Sequence, residues 1–200
     1  EADLIKSPTD DIIQRAIDSS GKTMESGDVF VEFNNLNHFD YITGSALTFP
    51  IRAEVCYGYS TKGASSLCVR KNLANPEDKG ICTLSGSRPL STSGAPVQIS
   101  DVTEFQRGRD SVGFSFVVKN SGPANGKIFA KDSKCEGTRS VEDRVIVNVK
   151  TDIPGLSCQG LSATRDGQVE GVVPLFETTR TVTCTQKIDN PADFEAPVTI

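Results

Sequence analysis

Hydrophobic and polar residues alternate with a period of two along most of the chain, from about residue 29 onward. Such alternation puts successive side chains on opposite faces of a strand, so that one face is buried and the other meets solvent. Gly, Pro, Ser and Asn interrupt the pattern at short intervals, which is typical of strands joined by turns. The alternating segments are residues 29–33, 50–57, 66–70, 96–105, 112–118, 126–130, 144–149, 168–175 and 180–185. The pattern predicts an all-β fold.

The first thirty residues follow a different pattern. Pro8 and the acidic pair Asp10 and Asp11 are typical of the start of a helix, where negative charge meets the positive end of the helix dipole. An apolar stripe at helical spacing follows, made of Ile12, Ile13, Ala16 and Ile17. We therefore expect one short amphipathic helix over about residues 10–19, which either caps the first sandwich or binds a partner.

A Ser-, Gly- and Pro-rich stretch without periodicity, residues 83–95, divides the strand-forming part of the chain. Stretches of this composition are typical of linkers. We expect an extension over residues 1–27, a first β-sandwich over residues 28–92 and a second over residues 93–200. The alternative is that the first repeat, with about sixty residues, has too small a core and merges its sheet with the second.

Two segments of the chain are similar, and the second is shorter. Residues 39–59 contain a long alternating strand, whereas residues 193–200 match only its beginning. A sheet left in mid-strand exposes unpaired backbone groups that another chain can pair with. We therefore expect Val198, Thr199 and Ile200 to lie at an open assembly site. The candidate donor strand is residues 1–6 of a neighbouring copy, which carry Leu4 and Ile5; the alternative is a strand further along the same polypeptide.

Six cysteines, none in a C-x-x-C pair, predict three disulfides and an oxidising compartment. Cys68 with Cys82 would close a polar loop at its base, and Cys158 with Cys184 would join strands of the second sandwich. Cys56 and Cys135 then remain as the third pair.

Composition and charge exclude several function classes. The net charge of −5, with 21 basic residues scattered among 26 acidic ones, argues against nucleic-acid binding. No apolar run is long enough to span a bilayer. The only histidine, His38, is interpreted as a loop residue, so neither a zinc site nor a Ser/His or Cys/His catalytic centre is expected. No cofactor is expected.

Carboxylates cluster in two places. A glycosidase needs two carboxylates, which Asp132, Glu136, Glu142 and Asp143 offer, but basic residues are interspersed among them, which favours a solvated loop. Asp189, Asp193 and Glu195 offer oxygen donors for calcium, although they lack EF-hand spacing.

A resemblance adds to this interpretation. An alternating strand ends in the turn Asn120-Ser121-Gly122, and a Gly-x-apolar strand starts at Gly126. This segment resembles the core of CARDB-type immunoglobulin-like domains of microbial surface proteins. The wider pattern over residues 46–200 is similar to archaeal cell-envelope proteins. The resemblance implies that both sandwiches are immunoglobulin-like and that the protein lies at the cell surface.

Two function classes follow from these observations. The sequence predicts a non-enzymatic extracellular structural subunit of a filament, lattice or stalk, a homo-oligomer or polymer joined through sheet edges. The alternative is an adhesion module that binds a glycan or another surface protein through exposed loops, such as residues 73–80 or 131–141.

Overall fold

A computed structural model describes residues 5–8, 16–17, 23–24, 28–34, 44–45, 48, 50–73, 80–124, 126–189 and 192–200. The chain divides into two compact units, Glu1–Ala53 and Glu54–Ile200. In the first unit, two short antiparallel strands pair with each other, β1 (Ala16–Ile17) and β2 (Thr23–Met24).

The second unit is built from two antiparallel sheets. Its strands are β3 (Gly63–Val69), β4 (Gly86–Ser87), β5 (Ser91–Thr92), β6 (Val97–Gln106), β7 (Ser111–Asn120), β8 (Arg144–Thr151), β9 (Leu156–Cys158), β10 (Ser162–Arg165), β11 (Gln168–Pro174), β12 (Thr179–Lys187) and β13 (Phe194–Thr199). The larger sheet has the order β10-β11-β8-β13-β3-β5, and the smaller has the order β4-β6-β7-β12-β9. The all-β prediction is confirmed.

Inward-facing side chains of both sheets form one hydrophobic cluster. Strand β7 shows why, because its alternation places Val112, Phe114, Phe116 and Val118 on one face, each at most 2% exposed. Val149 of β8 and Val198 of β13 reach the same cluster from the larger sheet. The two sheets therefore bury their apolar faces in one core.

A β-bulge in β6 changes which residues face that core. Val97 and Ile99 point inward, but the pairing with β7 shifts between Ser100 and Thr103, and Asp101 has a φ of +53°. The extra residue reverses the alternation, so that Val102 and Glu104 also point inward. The bulge therefore buries a carboxylate beside the apolar side chains of the core.

Four predicted elements differ from the structure. Ala16–Ile17 is a strand rather than part of a helix, and the described part of the chain contains no helix; residues 10–15 and 18–19 lie outside the described residues. Residues 29–33, 50–57 and 126–130, all predicted as strands, belong to no strand, and Phe129 makes one isolated bridge with Glu142. Alternation alone does not create a strand, because a strand also needs a neighbour to pair with.

The expected boundary between residues 92 and 93 does not separate two sheets. Strand β3 pairs along its whole length with β13, and β4 pairs with β6, so both sheets combine residues from the two sides of that boundary. This arrangement corresponds to the merged alternative. Short strands such as β4 and β5 bury too little surface to form a separate core, whereas the merged sheets share one.

Candidate assembly site

The structure joins the six cysteines in the three expected pairs. Cys158 and Cys184 lie directly opposite each other on β9 and β12, with Cα atoms 4.0 Å apart. The Cα–Cα distance is 5.7 Å for Cys68 and Cys82 and 5.8 Å for Cys56 and Cys135. Three disulfides fit a non-reducing environment.

The predicted assembly residues lie within the larger sheet. Val198 and Thr199 of β13 lie opposite Ser65 and Ala64 of β3, and opposite Thr151 and Lys150 of β8. Ile200 exchanges backbone hydrogen bonds of 2.8 and 2.9 Å with Gly63. A role of these three residues in assembly stays a prediction.

The unpaired backbone belongs to β8. Thr151 donates its N–H to the carbonyl of Gly167 at 2.8 Å, on the β11 side of β8. Backbone groups of successive residues point to opposite sides of a strand, so those of Asn148, Ile146 and Arg144 point away from β11. On that side, β8 meets β13 only at Thr151 and Lys150, and residues 144–148 have no described neighbour. We call this position beside residues 144–148 the β8 gap.

The far end of the β8 gap is closed by residues 128–130. The carbonyl of Asp143 accepts a hydrogen bond of 2.7 Å from the N–H of Leu175, which extends β11, and the N–H of Asp143 donates to the carbonyl of Ile128 at 2.8 Å. Asp143 has a φ of +51°, so its N–H and its carbonyl point in different directions. Leu175 and Ile128 therefore lie on different sides of Asp143. Phe129 then bridges to Glu142. At this end, the β8 gap therefore stops at residues 128–130.

The chain leading into β3 is held at two points. Residues 57–62 directly precede Gly63 and belong to no strand. The disulfide between Cys56 and Cys135 holds one end of this segment, and Thr61 Oγ1 donates to the carbonyl of Val97 at the other. Tyr57 and Tyr59 stack at a tilt, with ring centroids 6.0 Å apart, and burial together with the charge on Tyr57 raises the pKa of Tyr59.

On the outer face of β8, beside the gap, Ile146 lies between Arg144 and Asn148 and opposite Val172 of β11. Ile146 and Val172 are about half exposed there. They line a shallow depression of about 200 Å³ together with Ala130, Lys131, Asp132, Arg144 and Val145. The guanidinium of Arg144 lies 5.8 Å from the ring centre of Phe176, and its Nε is buried without a hydrogen-bond partner among the described residues.

Glu104 ties the two sheets together. Its carboxylate accepts the N–H of Cys68 from β3 at 3.0 and 3.1 Å, and Arg88 Nε lies 2.5 Å from its Oε2. Burial raises the pKa of Glu104 to about 7, against the opposing effects of the Cys68 hydrogen bond and the Arg88 charge. The sequence pattern did not single out Glu104, because only the bulge at Asp101 turns it inward.

The acidic residues considered for calcium and for glycoside hydrolysis make separate contacts. Asp189 pairs with Lys187 at 2.9 Å, Asp193 accepts the N–H of Lys71 at 2.7 Å and Glu195 accepts the hydroxyl of Ser66 at 3.2 Å.

In the loop that contains Asp132 and Glu136, Glu142 pairs with Lys127 at 3.0 Å, and both Asp132 and Asp143 have positive φ. Within the described ranges, no group of three His, Cys, Asp or Glu residues is arranged to hold a metal ion.

Several predicted residues lie outside the described part of the chain: Leu4, His38 and residues 74–79 of the loop at 73–80. Ile5 is described and is 81% exposed. The loop at residues 131–141 is anchored at Cys135 by its disulfide. No helix formed by the described residues has the length and apolar character needed to cross a bilayer. Comparison of the chain with protein-family models, curated proteins and solved structures found no match.

Proposed function

We propose that this protein is a non-enzymatic extracellular structural subunit of a surface assembly, joined to its neighbours through the edges of its sheets. The observation that carries the proposal is the row of backbone groups at Arg144, Ile146 and Asn148 that point into the gap without a described partner. An added strand would pair with these groups and complete the larger sheet, which is the energetic basis of strand addition.

Two further features support this function. Three disulfides suit an extracellular protein that must remain folded without cellular protection. The two sheets around one core suit an immunoglobulin-like β-sandwich, and the resemblance to CARDB-type domains of archaeal surface proteins agrees with a surface location. Adhesion through the loop at residues 131–141 remains the second function class.

The decisive experiment removes one hydrogen-bond donor from the gap. Proline is tolerated on an edge strand where its missing N–H faces away from the sheet. We expect Ile146→Pro to keep the pairing of β8 with β11, because the N–H of Ile146 points into the gap. Purified wild-type protein should form polymers visible by negative-stain electron microscopy and light scattering, and Ile146→Pro should stay monomeric with an unchanged circular-dichroism spectrum.

The matched control is Val147→Pro, one residue further along β8. The N–H of Val147 points towards β11, opposite Gly171, so this change should cost about 3 kcal/mol of folding stability. If Ile146→Pro polymerises like the wild type, or if the wild type forms no polymers at any concentration tested, the proposed function is wrong.

A further inference from the structure

A single segment of the chain forms an edge of both sheets. The strand order places β4 at one end of the smaller sheet and β5 at one end of the larger, and both strands lie within residues 86–92. Six of the eleven residues 83–93 carry a hydroxyl group, and all six are exposed: Thr83, Ser85, Ser87, Ser91, Thr92 and Ser93. Segments rich in Ser and Thr that also contain Pro, here Pro89, are typical carriers of O-linked glycans.

Charge does not protect this edge. Edge strands present unpaired backbone groups, and exposed charged side chains are a common device against unwanted pairing. Residues 81–100 contain one charged residue, Arg88, although charged residues make up 24% of the whole chain. The side chain of Arg88 is only 10% exposed, because it pairs with Glu104. The polar side chains that this edge presents to solvent are therefore mainly hydroxyls.

A groove beside Ser91 offers space for a sugar. It has a volume of about 410 Å³ and is lined by residues of β3 and of the chain that enters β5: Ala64, Ser65, Ser66, Pro89, Leu90 and Ser91. Ser65 Oγ donates to the carbonyl of Pro89 at 2.8 Å and so holds this part of the chain against β3. The groove combines hydroxyl groups with the apolar surfaces of Pro89 and Leu90, and a sugar ring presents both kinds of surface to a binding site.

We propose that Ser91 is the acceptor of an O-linked glycan whose first sugar lies in this groove. Among the described residues, the Ser91 hydroxyl has no side-chain hydrogen bond that a sugar would replace. The two hydroxyls that follow it are engaged. Thr92 Oγ1 donates to the carbonyl of Ser93 at 3.3 Å, and Ser93 Oγ accepts the N–H of Lys62 at 2.9 Å.

The modification joins the Ser91 oxygen to the anomeric carbon of the sugar. The donor is a sugar activated as a nucleotide phosphate or a lipid phosphate. The bond between the anomeric carbon and this phosphate breaks, the phosphate leaves with the bonding electrons, and the hydroxyl proton passes to a base of the transferase. A glycan linked to Asn would need the motif Asn-x-Ser/Thr, which does not occur in the sequence.

A glycan at Ser91 would close this edge to other strands. Glycans are bulky and well hydrated, so one attached to β5 obstructs the approach of a further strand to β5 and to the neighbouring β4 without adding charge. The inference therefore goes beyond the proposed function, because it removes two strands from the sheet edges through which neighbours can join.

Mass spectrometry of the full chain purified from its native source tests the proposal. After reduction and alkylation, trypsin should release residues 80–107 as one peptide, because Pro89 blocks cleavage after Arg88. This peptide should exceed the mass of its sequence by one or more sugar residues. Electron-transfer fragmentation, which leaves glycans attached, should place the first sugar on Ser91.

Two variants expressed in the native host locate the acceptor. Ser91→Ala should lose this sugar and keep the circular-dichroism spectrum of the wild type, because the side chain is exposed and the pairing of β5 with β3 uses backbone groups. Ser162→Ala is the matched control, since Ser162 is also an exposed serine of an edge strand, β10. This variant should keep the full added mass on residues 80–107.

The proposal is overturned if residues 80–107 of the native protein carry no added mass, or if the addition is a phosphate rather than a sugar. It is also overturned if Ser91→Ala carries as much sugar as Ser162→Ala. Each of these results leaves the proposed function standing, because that function is tested by the polymerisation of the wild type.

Discussion

The buried carboxylate of Glu104 predicts an unusual dependence of stability on pH. Most paired carboxylates make a protein more stable as pH rises, because they ionise more readily when folded. Glu104 should act in the opposite direction, since burial raises its pKa from 4.5 to about 7 in the folded protein. Its contribution to folding is full below pH 4.5 and is lost as pH rises through 7.

The magnitude follows from the pKa difference. A change from 4.5 to about 7 is about 2.5 pH units, and each unit corresponds to 1.36 kcal/mol, so ionisation of Glu104 costs about 3 kcal/mol of folding free energy at pH 8. Glu104→Gln keeps the size of the side chain and removes the titration. The attraction between Arg88 and ionised Glu104 is already included in the pKa of about 7, so it adds no separate dependence on pH.

The assay is urea unfolding at several pH values between 4.5 and 8, with the disulfides kept oxidised. The unfolding free energy of the wild type minus that of Glu104→Gln should fall by about 3 kcal/mol across this range. Glu177→Gln, an exposed replacement, controls for the loss of one negative charge. A difference that stays constant, or that increases with pH, would refute the assignment of a raised pKa to Glu104.

Three further measurements test the fold. Reduction of the native protein should add about 6 Da, two hydrogens for each disulfide, and a smaller gain would show a free thiol. Replacing Cys68 and Cys82 together by Ala should cost about 3 kcal/mol in urea unfolding, because their disulfide closes a loop with a sequence separation of 14; a cost under about 0.5 kcal/mol would contradict this. Gly167→Ala should destabilise the protein more than Gly160→Ala by about 1–3 kcal/mol. Both glycines have positive φ, but only at Gly167 would a Cβ meet backbone, 2.6 Å from the carbonyl oxygen of Thr151, and equal costs would contradict the packing.

Local patterns in the sequence predicted local features well. Strands β7, β8 and β12 alternate clearly, and each buries the face that its apolar residues mark. The pairing of Cys158 with Cys184 could also be predicted from the sequence, since both lie in alternating segments that become neighbours.

The pairing of strands that are distant in sequence could not be predicted in the same way. Strand β3 pairs with β13, more than a hundred residues later, and nothing within either strand specifies the other. The helix predicted around Ala16 and Ile17 rested on apolar spacing and on helix-start residues before it, and this pair forms a short strand instead. The β8 gap was anticipated only as an open sheet near Ile200, because locating it required the register on both sides of β8.

The disulfide between Cys56 and Cys135 has a mechanical consequence. It joins positions separated by 79 residues, so a tensile load along the chain passes through two sulfur atoms and bypasses everything between them. At about 3.5 Å per extended residue, the bond withholds about 280 Å of contour length from stretching. Strands β3, β6 and β7 lie between the two cysteines. When the molecule is pulled at its ends, the chain between Cys56 and Cys135 should not extend. The measured extension should therefore be far shorter than the contour length of the whole chain.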